Sequence, residues 1–247
     1  HFPIHIKIDT GMHRLGFEEE HLTELISILK GNETVQIKSI LSHMATSDDE
    51  KHQDFALSQI RLFDTLSSKI SNELGIHPIR HILNTSGISN FNDAQFDMVR
   101  LGIGLYGVSN DVNEQKYLEN VGTLKSIISQ VRVIPAGDSV GYGRRFMAQK
   151  ETKIATIPIG YADGISRLWG NEAGYVMIKN QKARIVGSVC MDMLMVDATD
   201  INCNEGDTVI IFGEDPTVVY MAEKQLTIPY EILTSISQRV KRVFYRE

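Results

Sequence analysis

Cysteine is nearly absent: the 247-residue chain has two, Cys190 and Cys203. They stand in no C-x-x-C or Cys/His ligand spacing, which argues against a disulfide framework or zinc site and suits a reducing compartment with free buried thiols. No apolar run approaches the roughly 18–20 residues that a membrane-spanning helix needs, and the start has no basic, hydrophobic, small-residue leader. A cytoplasmic location is therefore expected. Dense Lys/Arg clusters are missing and the net charge is −6, so no summed positive charge draws nucleic acid or an anionic membrane. Neither a Walker nor a Rossmann glycine fingerprint occurs, and there are no repeats or low-complexity segments. What remains is 42% hydrophobic and 23% charged. A chain of this length buries roughly 70–75% of its unfolded surface, and its natural partners are small molecules.

The chain has two textures. Up to about residue 115, strand-like runs alternate with amphipathic segments: Ile4 to Ile8, a helix near Glu18 to Lys30, Val35 to Leu41, and a long helix near Gln53 to Leu74. In that helix Ile60, Phe63, Leu66, Ile70 and Leu74 keep spacings of three and four, the stripe that covers a sheet, and Gly75 supplies the stop. Pro78 to Leu83 and Met98 to Tyr106 read as two further strands. Such β-α repetition predicts a parallel sheet. Beyond about residue 120, short apolar strands take over: Ser126 to Ile134, Lys153 to Ile159, Tyr175 to Ile178, Ala183 to Val189, Leu194 to Asp197 and Thr208 to Phe212. Tyr230 to Arg242 reads as a closing helix because Ile232, Ile236 and Val240 lie four apart. The predicted domains are 1–117, β/α, and 118–247, all-β.

Chemistry is expected where parallel strands meet their C-terminal loops. The first predicted strand ends Lys7-Ile8-Asp9-Thr10-Gly11-Met12-His13-Arg14, the second Ser42-His43-Met44-Ala45-Thr46, the third Asn84-Thr85-Ser86-Gly87, and the fourth Val99-Arg100-Leu101-Gly102-Ile103-Gly104. Hydroxyls beside glycine-freed backbone N–H groups make an anion cradle suited to a phosphate. In the second part, Gly141-Tyr142-Gly143 places a phenol on a turn, where it can serve as a general base if cations lower its pKa.

The runs Lys7 to Gly16, Met98 to Gly107, Val140-Gly141-Tyr142-Gly143, Gly160-Tyr161-Ala162-Asp163-Gly164 and Cys190-Met191-Asp192 together closely resemble the alanine racemase family, in the family's order and across nearly the whole chain. The resemblance implies a pyridoxal-phosphate enzyme that interconverts L- and D-alanine for peptidoglycan, acting as a head-to-tail homodimer. It implies a β/α barrel with a C-terminal β domain, of which this chain carries about strands five to eight, a partial (β/α)8 barrel. By resemblance, Tyr142 exchanges the α-proton on the L-alanine face, in the partner's site. Arg100 faces the pyridine nitrogen, and His43 lies between it and the tyrosine. Asn84 and Thr85, with Gly102, Ile103 and Tyr230, surround the cofactor phosphate. Arg14 and Met191 meet the substrate carboxylate, Tyr161 lines the substrate corridor, and Lys7 matches a lysine often carbamylated. Gly141, Thr85 and Ser188 depart from the residues usual at their positions, which are Ser, Ser and Arg.

The family's cofactor lysine sits in a Lys-Ala-Asn-Ala-Tyr-Gly-like motif, and no lysine here has that context. With the start at His1-Phe2-Pro3, this implies the C-terminal portion of a racemase, inactive alone and compatible with a larger cell-wall fusion protein. Two other classes are weighed against it. One is a pyridoxal-phosphate decarboxylase of related fold, whose Cys-based acid and acidic residues are not evident here. The other is a non-catalytic cofactor-binding module.

Overall fold

The computed structural model describes residues 1–109 and 111–245, which form two compact units: His1–Leu105 with Ser109–Leu118, and Tyr106–Val108 with the chain from Glu119 onward.

The first unit is built on β1 (Phe2–Lys7), α1 (Leu22–Leu29), β2 (Val35–Leu41), α2 (Gln53–Leu74), β3 (Ile79–His81), α3 (Thr85–Asn90) and α4 (Val112–Gln115). Its three strands make a parallel sheet in the order β1-β2-β3, as β-α repetition requires. The predicted stripe of α2 is the face that covers it. Phe63, Leu66 and Ile70 are fully buried beside Ile8, Ile40 and Ile82, with Ile60 and Leu74 packed at the margin. Each fully buried side chain of that size contributes about 1.5–3 kcal/mol. Gly75, left-handed at φ 63°, ends the helix, a conformation that costs glycine nothing.

Two strand expectations fail here. Pro78 to Leu83 is extended only over Ile79–His81, because Asn84 already caps α3 by accepting the Gly87 amide. Met98 to Tyr106 is not a strand: Arg100 makes one backbone bond to Leu83 and the chain then coils into a 3-10 turn at Ile103–Tyr106. The Thr85 hydroxyl takes the amides of Gly102 (2.9 Å) and Gly104 (3.4 Å) that a ladder would have used.

The second unit contains β4 (Leu124–Ile127), β5 (Gln130–Ile134), β6 (Ser139–Val140), β7 (Phe146–Met147), β8 (Thr152–Ile157), β9 (Tyr175–Ile178), β10 (Gln181–Arg184), β11 (Leu194–Asp197), β12 (Thr208–Phe212), α5 (Val218–Lys224) and α6 (Pro229–Ser235). The sheets run β10-β9-β12-β4 and β11-β8-β5, with a β6-β7 hairpin. Their alternating residues close one core that includes Trp169, Val176, Ile178, Val196 and Val209. The predicted strand 126–134 is two strands in different sheets. The predicted strand 183–189 stops at Arg184; Ile185 adds an isolated bridge to Val196, and a buried bend with Gly187 at φ 69° follows. The domain is not all-β, since α5 and α6 pack on it. The helix expected over 230–242 ends at Ser235, and the Arg242 guanidinium takes the carbonyls of Ile236, Ser237 and Val240 beyond it.

Candidate functional site

The ends of β1, β2 and β3 gather the polar residues of the first unit around one guanidinium. Arg100 donates through Nη1 to Nδ1 (2.5 Å) and the carbonyl of His81. Its Nη2 donates to the Ser42 carbonyl (2.7 Å), His43 Nδ1 (3.1 Å) and the Ile82 carbonyl. Of its N–H groups only Nε–H finds no acceptor among the described residues. An arginine cannot accept, so both histidines face it with a lone pair and are neutral. Their pKa values follow: burial, then Arg100, pushes His81 down to about 4, and burial, then Arg100, Arg14 and Lys7, lowers His43. Burial also lowers Lys7, helped by Arg14 and Arg100 and opposed by Asp9.

The loop after β1 is fixed by its own backbone. Asp9 takes the amides of Gly11 and His13 on one carboxylate oxygen, Lys7 donates to the Leu15 carbonyl at 2.9 Å, and Gly16, at φ 128°, sits where a Cβ would lie 2.8 Å from the Asp9 nitrogen. Arg14 is thereby presented from a closed loop, itself exposed. Beneath it Gln59, fully buried on α2, accepts the Ala45 amide and donates to the His43 carbonyl. Thr85, buried at the first position of α3, lies against Gly102 and Gly104; a Cβ on Gly104 would come 2.8 Å from its methyl. The Gly102 and Gly104 amides are both spent on the Thr85 hydroxyl oxygen, whose own proton remains to be donated.

In the second unit Tyr142 stands between Gly141 (φ 75°) and Gly143 (φ 69°) on a short turn, with its side chain 75% exposed. Tyr161 and Met191 are brought together: the amides of Tyr161 and Ala162 bond the carbonyls of Cys190 and Met191. A Cβ on Gly160 would lie 2.3 Å from the Cys190 oxygen. Arg239 clamps the same two loops, Nε to Asp163 (2.7 Å) and Nη2 to Asp192 (2.6 Å), and lowers the Asp163 pKa against burial. Tyr161 also borders an open cleft of 310 Å³ together with Glu231, while Tyr230 lies half exposed on α6.

Sequence reasoning passed over His81, His5, Ser39, Gln59 and Arg239. His81 ends β3, but the sequence reading carried that strand on to Leu83, so the strand-end argument began at Asn84 and passed it by. Its lowered pKa has a measurable consequence. An unfolded chain binds a proton near pH 6.5 that folded His81 refuses until about 4. Stability is thus complete above pH 6.5 and falls as pH drops towards 4, by about 3 kcal/mol for this group alone. Urea unfolding at pH 7.5 and 4.5 should show a deficit at acid pH that His81→Gln reduces; equal pH slopes for the two proteins would refute it.

Comparison with known proteins bears on both units. Residues 1–110 match the family model "Alanine racemase, N-terminal domain" and residues 121–244 match "Alanine racemase, C-terminal domain". The chain is 41% identical to alanine racemase 2 of Caldanaerobacter subterraneus subsp. tengcongensis, over 98% of its own length and 64% of that protein's. It is 38% identical to the alanine racemase of Clostridium novyi, over 98% and 65%. It thus spans about 65% of the length of these curated relatives. Among solved structures it superimposes on the alanine racemase of D-cycloserine-producing Streptomyces lavendulae with a TM-score of 0.92 at 32% identity, covering 99% of this chain and 66% of that one. The Bartonella henselae alanine racemase, solved with covalently bound pyridoxal phosphate, gives 0.83 at 35%, covering 98% and 66%. With both units matched in order, by sequence and by fold, to a TIM-barrel domain followed by a β domain, the chain belongs to the alanine racemase family.

Proposed function

We propose that this chain serves a pyridoxal-phosphate-dependent racemase that interconverts L- and D-alanine. The observation that carries the reading is the guanidinium of Arg100, a fixed cation surrounded by neutral acceptors with one N–H left over. The residues fit the cofactor: the close approach of Gly102 and Gly104 to Thr85 makes a cradle for its phosphate, and the spare Nε–H suits its pyridine nitrogen. Bound pyridoxal phosphate supplies an electron sink that acidifies the α-proton of an amino acid joined to it. Arg100, unable to surrender a proton, would donate to the pyridine nitrogen without protonating it and would so moderate that sink. The Thr85 hydroxyl, the Ile103 amide and Tyr230 hold the phosphate, with Asn84 fixing the turn. Tyr142 takes or returns the α-proton on one face from the partner subunit of a head-to-tail homodimer, and neutral His43 orients it. Arg14 and the Met191 amide bind the substrate carboxylate, and Tyr161 narrows the approach. The lowered pKa of Lys7 favours the free amine, the form that adds CO₂ to become a carbamate opposite Arg14.

The reading includes a partial barrel of about strands five to eight, a cytoplasmic setting and D-alanine supplied to peptidoglycan. The 247 residues hold no lysine in the family's cofactor motif, so racemisation is assigned to a polypeptide that also carries that motif. In D₂O, such a polypeptide with L-alanine should yield α-deuterated D-alanine, whereas the mass-verified 247-residue chain should exchange no α-proton. Racemisation at a normal rate by the 247-residue chain overturns the lysine argument. Release of CO₂ from lysine or ornithine, without alanine exchange, overturns the racemase reading.

A further inference from the structure

We propose that Ser39 is a positioning residue that gives the histidines behind Arg100 a single hydrogen-bonding direction, Arg100 to His81 to Ser39 to His5. The serine lies in the middle strand of the parallel sheet, buried to 2% exposure, with His5 as its register partner on β1 and His81 at the end of β3. Its Oγ is 2.7 Å from His5 Nδ1 and 3.2 Å from His81 Nε2.

Direction follows from counting protons. Arg100 can only donate, so His81 Nδ1 carries a lone pair. A neutral imidazole has one N–H, which then sits on Nε2 and points at Ser39. Having accepted that bond, the serine hydroxyl keeps one proton, and the only acceptor for it among the described residues is His5 Nδ1. His5 in turn is the Nε2–H tautomer. Reversing the chain would require His81 to accept at both nitrogens, which a neutral imidazole cannot do. Burial and the nearby charge of Arg100 keep His81 neutral, as the order demands. A buried N–H without a partner is costly, so the hydroxyl of Ser39 is what lets His81 hold its ring in register with the guanidinium.

The consequence for catalysis rests on the reading that Arg100 serves the cofactor, but the hydrogen-bond order does not, and it is measured without cofactor or turnover. In two-bond ¹H–¹⁵N spectra of the ¹⁵N-labelled 247-residue chain, His81 and His5 should both appear as Nε2–H tautomers at pH 7.5. Ser39→Ala should abolish the protected His81 Nε2–H signal, let His5 populate both tautomers and shift or broaden the Arg100 Nε–H resonance. Ser39→Thr, which keeps the hydroxyl, should restore all three. A wild-type His81 in the Nδ1–H form, or as a mixture, overturns the proposal even if neither variant folds. Unchanged imidazole and Arg100 signals in a folded Ser39→Ala also overturn it. Whether Arg100 faces a cofactor is decided separately by the activity and cofactor titration of Arg100 variants.

Discussion

Tyr142→Phe, made in a polypeptide that also carries the cofactor-lysine motif, is expected on the proposed reading to lower alanine racemisation by about a thousandfold, the middle of the range for a lost general acid–base group. The substitution removes one hydroxyl. The ring stays, the turn is set by the positive φ angles of Gly141 and Gly143, and the side chain is mostly exposed, so folding should be unaffected. Two-base racemisation also predicts an asymmetry. If Tyr142 serves one face, as proposed, washout of the α-deuterium from L-alanine should collapse while washout from D-alanine persists and cofactor absorbance remains. Equal washout from both enantiomers at wild-type rates would remove Tyr142 from the reaction.

Arg100→Ala should destabilise the first unit by about 3 kcal/mol or more. A hydrogen bond to a charged group contributes roughly 1.5–3 kcal/mol, and this guanidinium serves the carbonyls of Ser42, His81 and Ile82 as well as both imidazoles. Water entering the space offsets part of the loss. Lysine should rescue little, because a compact ammonium cannot span acceptors on two strand ends as a planar fork does. Urea unfolding gives the magnitude. ¹⁵N titration should show the His81 pKa climbing from about 4, since one of the charges that depressed it is gone. A loss below about 0.5 kcal/mol, a range ordinary for surface substitutions, would mean that Arg100 does not hold the strand ends together.

Elements whose determinants are local were legible in the sequence. The helix Gln53–Leu74 with its Gly75 stop, and the strands Val35–Leu41, Tyr175–Ile178, Leu194–Asp197 and Thr208–Phe212, keep the predicted bounds. Each carries an unbroken period and a turn residue at its end. Met98 to Tyr106 misled because its apolar alternation is real, while the hydroxyl that diverts its amides belongs to Thr85, on another element. The helix Val218–Lys224 was missed because its first residues, Val218-Val219-Tyr220, are those that strands favour; the signal was Thr217, whose side chain caps it by accepting the Tyr220 amide. Among candidate site residues, those at strand ends could be found by position. Ser39 and His5 lie inside strands, where a lone polar residue reads as a solvated face. Arg239 was hidden for another reason: its two carboxylate partners are 76 and 47 residues away, and no local pattern joins them.

The company kept by Arg100 has an effect that reaches beyond contact distance. Lys7, Arg14 and Arg100 all act on His43, whereas Asp9 is the single carboxylate whose charge registers on Lys7 and spends one oxygen on its own loop amides. A chain that is acidic overall thus keeps a cluster of cations at these strand ends. Small anions approaching through solution are steered by such a local field, and steering is screened over about 8 Å at physiological salt. Association of a phosphorylated ligand should slow as salt rises, while its dissociation, governed by short-range contacts, should change little.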